Sequence, residues 1–146
     1  MRFKATGGTT EQLLKVFHSR IRSTLEFASP VFHSGATKEQ SQKIETVQKK
    51  ALVLILGRNY NNYESALTHL KQERLDTRRA NLCIRFALKC TKSSKHCDMF
   101  PLNPNFRPNM RHQKPFQEPY CHTSRYYHSS IPSLARHLNE NSSKTT

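Results

Sequence analysis

The sequence predicts a mainly α-helical protein, with a small module of three to four helices and an irregular C-terminal arm rich in proline and aromatic residues. Apolar residues recur at helical spacing as far as residue 94, behind recognisable helix-start signals. Six of the seven prolines lie between Pro101 and Pro132, where they disfavour long helices and central strands. We therefore expect a disordered N-terminus (1–9), a helical module (10–94), an extended basic and aromatic arm (95–138) and a disordered tail (139–146).

The first two helices have capping signals of their own. Thr9 or Thr10 can cap a first helix that ends before Pro30. Its apolar residues are Leu13, Leu14, Phe17, Ile21 and Leu25. Thr37 followed by Gln40 is a capping-box pattern, and Gly57 is a suitable end for the second helix. The apolar residues of that helix are Ile44, Val47, Ala51, Leu54 and Ile55.

Two further helices are predicted after a polar loop. Tyr63, Ala66, Leu67 and Leu70 indicate a short helix. A longer helix is expected from Leu75 to Lys92. Its apolar face is predicted to contain Leu75, Leu82, Phe86 and Cys90, with Cys83 beside it.

The formal net charge of +14 favours a polyanionic partner, in the first place nucleic acid and in the second an anionic membrane surface. If the long helix already includes Arg74, six cations fall in one stripe turned away from its apolar face. They are Lys71, Arg74, Arg78, Arg85, Lys89 and Lys92. No acidic residue interrupts this stripe, which predicts phosphate contacts with RNA, an RNA–DNA hybrid or DNA. The alternatives are a solvated helix face and, for Arg78 and Arg79, structural ion pairs with Glu26 or Glu45.

In the C-terminal arm, basic residues alternate with aromatic ones. The predicted nucleic-acid contacts there are Arg107, Arg111, Lys114 and Arg125. The aromatic side chains can stack on unpaired bases or anchor the arm onto the helices. We expect anchoring for Phe116, Tyr120 and Tyr126.

The sequence predicts neither a metal site nor a cofactor. His96 with Cys97 and Cys121 with His122 are adjacent pairs, and neighbouring side chains rarely converge on one tetrahedral zinc ion. Nothing fixes the geometry of His112 and His128 as an acid–base pair, so no catalytic residue is expected. The four cysteines form no CxxC pair and are expected to be free thiols.

No stretch is long and apolar enough for a transmembrane segment, and the N-terminus has no apolar signal region. We therefore expect an intracellular protein, nuclear or cytoplasmic.

A series of motifs follows in a fixed order along the chain. The first is Arg22-Ser-Thr-Leu-Glu-Phe-Ala-Ser-Pro-Val-Phe32, followed by Ile44-Glu-Thr-Val-Gln-Lys-Lys-Ala-Leu52. Next come Tyr63-Glu-Ser-Ala-Leu67, Leu75-Asp-Thr-Arg-Arg79 and Leu82-Cys83. The last are Thr123-Ser-Arg-Tyr126, Ser130-Ile-Pro-Ser-Leu-Ala-Arg136 and Asn139. In this order the motifs resemble the region downstream of the polymerase domain in jockey-like non-LTR retrotransposon reverse transcriptases. The resemblance covers residues 12–139, although Phe32 stands where the family usually has tryptophan.

The resemblance implies a fragment of an RNA-directed DNA polymerase that supports a polymerase domain and helps to hold nucleic acid. It does not imply an enzyme, because Asp76 and Asp98 are the only aspartates and lie too far apart for the paired aspartates of a two-metal polymerase site. Two alternatives remain open. One is a non-functional relic of a truncated mobile element, and the other is a peripheral binder of anionic membranes.

Overall fold

A computed structural model describes residues 8–107 and 114–142. Within these ranges the protein is mainly helical, as predicted, and has no strand beyond an isolated antiparallel bridge between Leu102 and Phe116. The α-helices are α1 (Thr10–Val16), α2 (Ser23–Glu26), α3 (Ser29–Phe32), α4 (Lys38–Leu56), α5 (Tyr63–His69), α6 (Leu75–Lys92), α7 (Ser124–Tyr127) and α8 (Ser130–Ser142). A π-helix (Phe17–Arg22) joins α1 to α2, and 3₁₀ turns cover Gly57–Asn59 and Cys97–Met99.

The predicted helix starts are confirmed at both capping boxes. Thr9 accepts a hydrogen bond from the backbone N–H of Gln12, and the Gln12 side chain accepts one from the N–H of Thr9. Thr37 and Gln40 make the same reciprocal pair at the start of α4. Each box satisfies two backbone N–H groups that the first helical turn leaves without a partner. The local sequence therefore determines where these helices begin.

The described residues form two compact units, each with its own core. The first comprises the described residues up to Phe27 together with Thr37–Arg78, and the second comprises Ala28–Ala36 and the described residues from Arg79 onward. This division differs from the expected boundary at residue 94, because α6 contributes its first residues to one unit and the rest to the other.

In the first unit, α4 packs against residues from the π-helix and α5. The buried residues of this core are Phe17, Ala51, Leu52, Ile55, Leu56, Ala66 and Leu67. Beside them lies a buried polar side chain, Gln48, which is 0% exposed. Its amide oxygen accepts a hydrogen bond from the N–H of Leu75 at 3.1 Å, and its amide nitrogen donates to the carbonyl of Glu73 at 3.0 Å.

A second side chain of α4 supports the same helix start. The N–H of Asp76 donates to the buried carboxylate of Glu45 at 3.3 Å. The Tyr63 hydroxyl lies 2.5 Å from Glu45 Oε1 and 2.8 Å from Gln48 Oε1. Burial, and then the hydrogen bond to Glu45, raises the pKa of Tyr63 well above its usual range, so the hydroxyl stays protonated as a donor. Glu45 and Gln48 thus cap α6 from a distant helix.

In the second unit, α6 packs against α8 and Phe100. The buried residues of this core are Cys83, Ala87, Cys90, Phe100, Leu134, Ala135 and Leu138. The prediction of which residues form the buried face of α6 is partly wrong. Phe86 is 38% exposed and Leu82 is only half-buried, whereas Arg79 and Ala87 are buried. From Leu75 to Ala87 every fourth residue of α6 is buried, and the next buried residue, Cys90, follows three positions later.

The arm and the tail contain more regular structure than predicted, because α7 and α8 lie where no helix was expected. Pro132 is the third residue of α8, where a backbone N–H has no partner inside the helix, so the proline is tolerated. Asn139 was assigned to a disordered tail but is 4% exposed on α8. Its side chain accepts from the N–H of Phe116 at 2.9 Å and donates to the carbonyl of Phe116 at 3.1 Å.

Across the part of the chain described here, no helix combines the length and apolar character needed to cross a membrane.

Candidate nucleic-acid interface

The six cations predicted to form one stripe do not share one helix face. Because α6 begins at Leu75, Lys71 and Arg74 precede it. Lys71 is exposed and adopts a left-handed backbone conformation (φ 51°) just after α5. Its N–H donates to the carbonyl of Thr68 and the N–H of Gln72 donates to the carbonyl of Leu67, which is the Schellman arrangement for ending a helix.

Arg74 is surrounded by carboxylates. Its side-chain nitrogens lie 3.2 Å from Glu64, 3.3 Å from Asp76 and 3.8 Å from Glu45. These charges, Asp76 above all, raise the pKa of Arg74. The charge of Arg74 is therefore compensated within the protein, contrary to the expectation of a stripe free of acidic partners.

Arg78 is compensated in the same way. Its guanidinium contacts both carboxylate oxygens of Glu26, at 2.6 Å and 3.2 Å. The hydrogen bond to Glu26 is the main reason that the pKa of Arg78 is raised. This confirms the alternative of a structural ion pair with Glu26 and argues against Arg78 as a phosphate contact. Neighbouring Arg79 is 1% exposed, so almost none of its side chain is at the surface.

The three cations in the second half of α6 differ from these two arginines. Arg85, Lys89 and Lys92 are exposed, and among the described residues none of them forms an ion pair. They follow one another at intervals of four and three residues, which places them on one face of the helix. We call these three residues the α6 basic surface.

The buried face of α6 fixes the orientation of this surface. Cys83, Ala87 and Cys90 are 4% exposed or less and pack into the core of the second unit. At about 100° per residue, the three cations lie on the side of the helix away from that core. Their exposure is therefore a consequence of how α6 packs.

The four cations of the arm that were predicted to contact nucleic acid differ in their surroundings. Arg107 and Arg125 are exposed and make no ion pair within the described ranges. Lys114 is exposed but lies 3.2 Å from Glu118. Arg111 lies outside the described residues.

The aromatic residues of the arm divide into anchors and exposed rings. Phe116 packs against the core of the second unit, as predicted, and Phe100 is buried within it. The prediction that Tyr120 and Tyr126 also anchor the arm is wrong, because their side chains are 79% and 44% exposed.

Sequence reasoning missed one arrangement in the arm. The guanidinium of Arg136 lies 3.7 Å from the ring centre of Tyr127, a cation–π contact. The two residues are nine positions apart in the sequence, and no local pattern identifies them as a pair. A resemblance motif contains Arg136, but gave it no role.

The cysteines and histidines form no recognisable site in the described part of the chain. No three side chains among its histidines, cysteines, aspartates and glutamates are grouped as metal ligands would be. All four cysteines are free thiols, as expected. Burial raises the pKa of Cys83 and Cys90, which disfavours the thiolate form of both side chains.

No protein-family model matches this chain, and searches of curated proteins and of solved structures give no significant match.

Proposed function

We propose that this protein binds nucleic acid without sequence specificity through the α6 basic surface, Arg85, Lys89 and Lys92. The observation that carries the proposal is the contrast within one stretch of chain. Arg74 and Arg78 are held by carboxylates, whereas the three later cations are exposed and form no ion pair among the described residues. Cations of like sign at this spacing repel one another by a few tenths of a kcal/mol per pair, and a polyanion relieves this repulsion.

The dimensions of the surface fit a row of phosphates. Arg85 and Lys92 are seven positions apart, which corresponds to about 10 Å along a helix axis. Phosphates on one strand of duplex DNA are about 3.4 Å apart along its axis, so the surface spans about three of them. The net charge of +14 favours the same partner at longer range. The resemblance to a reverse transcriptase region also points to nucleic acid, and in a longer parent the surface would lie near a polymerase domain.

The test is binding of fluorescent single-stranded RNA, single-stranded DNA and an RNA–DNA hybrid over a range of salt concentrations. We expect R85A/K89A/K92A to weaken binding and to reduce the salt slope by about 2 to 3, since each lost phosphate contact removes about 0.7 to 0.9. The matched control K38A/K49A/K50A removes the same charge from exposed positions at the start and middle of α4. It should keep nearly the full slope.

Three results would overturn the proposal. If both triple variants lose the same slope, binding reflects net charge and not the α6 surface. If nucleic acids do not bind but anionic phospholipid vesicles do, the partner is a membrane surface. Absence of binding to both would also overturn it and favour a relic of a mobile element.

A further inference from the structure

Within residues 120–136 of the second unit three tyrosine rings are exposed, and Arg125 and Arg136 form no ion pair among the described residues. Tyr120 is 79% exposed, Tyr126 is 44% exposed and Tyr127 is 45% exposed. Arg125, between them in sequence, is exposed and makes no ion pair within the described ranges. Exposed tyrosine rings beside cations offer flat apolar faces together with positive charge, which makes this segment a candidate binding surface.

Arg136 is held in a defined orientation beside one of these rings. Its guanidinium lies 3.7 Å from the ring centre of Tyr127, and its Nη2 donates to the carbonyl of Tyr127 at 2.7 Å. In the described part of the protein no carboxylate neutralises it. Leu134, Ala135 and Leu138 bury the opposite side of α8, which keeps Arg136 on its outer side.

The chemistry of this arrangement selects its ligand. An arginine plane and tyrosine rings both stack on flat π-systems, and the positive charge favours a ligand that also carries phosphate. Arg136 already occupies one face of the Tyr127 ring, so the ring does not form an open cage for an ammonium group. The surfaces left for a flat ligand are the outer side of the partly exposed guanidinium and the other face of the ring. Base faces are covered in a duplex but accessible in a single strand.

We propose that Tyr127 and Arg136 form a stacking site for unpaired nucleobases, with Arg125 as the adjacent phosphate contact. The protein then prefers single-stranded nucleic acid, and the α6 basic surface adds contacts to the backbone alone. This inference rests on the proposed function, because its ligand is part of a polynucleotide. It adds recognition of bases to a surface that recognises only phosphate.

The test compares two single-stranded DNA polymers of equal length, one with thymine bases and one with abasic sites, at one salt concentration. The phosphates are the same, so any difference in affinity comes from the bases. We expect the thymine polymer to bind about fivefold or more tightly, the effect of one stacked base. Tyr127→Leu and Arg136→Lys should remove this preference, the second without changing the charge. Tyr127→Phe keeps the ring and should retain it.

The outcomes separate this inference from the proposed function. Equal binding of both polymers by the unaltered protein overturns the stacking site but leaves phosphate binding intact. This result does not require any variant to fold. A preference that persists in both Tyr127→Leu and Arg136→Lys overturns the assignment to these residues. R85A/K89A/K92A should lower the affinity for both polymers by the same factor. If the affinity for neither polymer falls, the proposed function fails independently of the stacking site.

Discussion

Arg78 donates two hydrogen bonds to the carboxylate of Glu26, from Nε to Oε1 at 2.6 Å and from Nη2 to Oε2 at 3.2 Å. The two residues are 52 positions apart in the chain. A paired guanidinium and carboxylate make a strong, directional contact, and both side chains are largely shielded from solvent. An arginine that looks available in the sequence is therefore part of the structural framework.

Replacing Arg78 should destabilise the protein without reducing nucleic-acid binding. We expect Arg78→Ala to lower the free energy of unfolding by about 2 kcal/mol, because the partly buried Glu26 loses its main partner. Arg78→Lys keeps the charge but not the paired geometry and should cost less. Urea unfolding measures both changes. A salt slope for nucleic acid that falls by about 0.7 to 0.9 in Arg78→Ala and is kept in Arg78→Lys would mark a phosphate contact and contradict this role.

Gln48 should be among the most sensitive positions of the first unit. Gln48→Leu removes the partners of the Leu75 N–H and the Glu73 carbonyl, two backbone groups that water reaches poorly. We expect a loss of about 2 to 4 kcal/mol in urea unfolding. Gln42 is exposed on the same helix, and Gln42→Leu should change stability by less than about 0.5 kcal/mol. Equal effects of the two changes would show that the buried amide is not needed.

His18 should make the protein less stable in mild acid. Its Nε2 lies 2.7 Å from Gln72 Oε1. Burial lowers the pKa of His18 from 6.5, and the charges of Arg22 and Arg78 lower it further, although the Gln72 hydrogen bond opposes them. The unfolded chain then binds a proton more readily than the folded one. The stability from neutral His18 is complete above about pH 6.5 and decreases as the pH falls below it.

The measurement is urea unfolding at pH 7.5 and at pH 5.5. We expect His18→Gln to reduce the difference in stability between the two conditions. His69→Gln removes an exposed imidazole from the same unit and serves as the matched control. If His18→Gln keeps the full difference and His69→Gln abolishes it, the prediction is wrong.

Lys71 occupies a backbone conformation that favours glycine. Its φ of 51° costs a residue with a β-carbon about 1 kcal/mol or more. Lys71→Gly should therefore raise the free energy of unfolding by about 0.5 to 1 kcal/mol, since greater freedom in the unfolded chain offsets part of the gain. Lys71→Ala removes the same charge but keeps the β-carbon, and it should give no such gain. Equal thermal stability of the two variants would refute the explanation.

The helices that the sequence predicts well are those whose signals are local. Thr37 and Gln40 are three residues apart, so their capping box is visible in the sequence and appears in the structure. The second half of the chain is predicted less well, because its prolines disfavour long helices and central strands and give no sign of α7 or α8. Pro132 lies in the first turn of α8, where proline is tolerated. This can be predicted only if the first residue of α8 is known, and the sequence does not mark that residue clearly.

The candidate site was predicted in part, for a related reason. A charge stripe can be read along one helix, but its neutralisation by other parts of the chain cannot. Glu26 was a candidate partner for Arg78 and proved to be one, whereas the carboxylates around Arg74 were not expected. Stacking of Arg136 on Tyr127 depends on the turn between α7 and α8, whose geometry local spacing does not give.

The capping of α6 by Gln48 has a consequence for the order in which the protein folds. The residue before α6 is Arg74, which has no side-chain acceptor for the first turn, and the acceptor comes from 27 positions earlier. α4 can form from its own signals. The first turn of α6 has a local acceptor for the Thr77 N–H, Asp76 Oδ1, but it gains acceptors for the Leu75 and Asp76 N–H groups when the intervening loop closes. We therefore expect the helix that carries Arg85, Lys89 and Lys92 to be completed late. A peptide containing that helix alone would be a poor substitute for the whole chain.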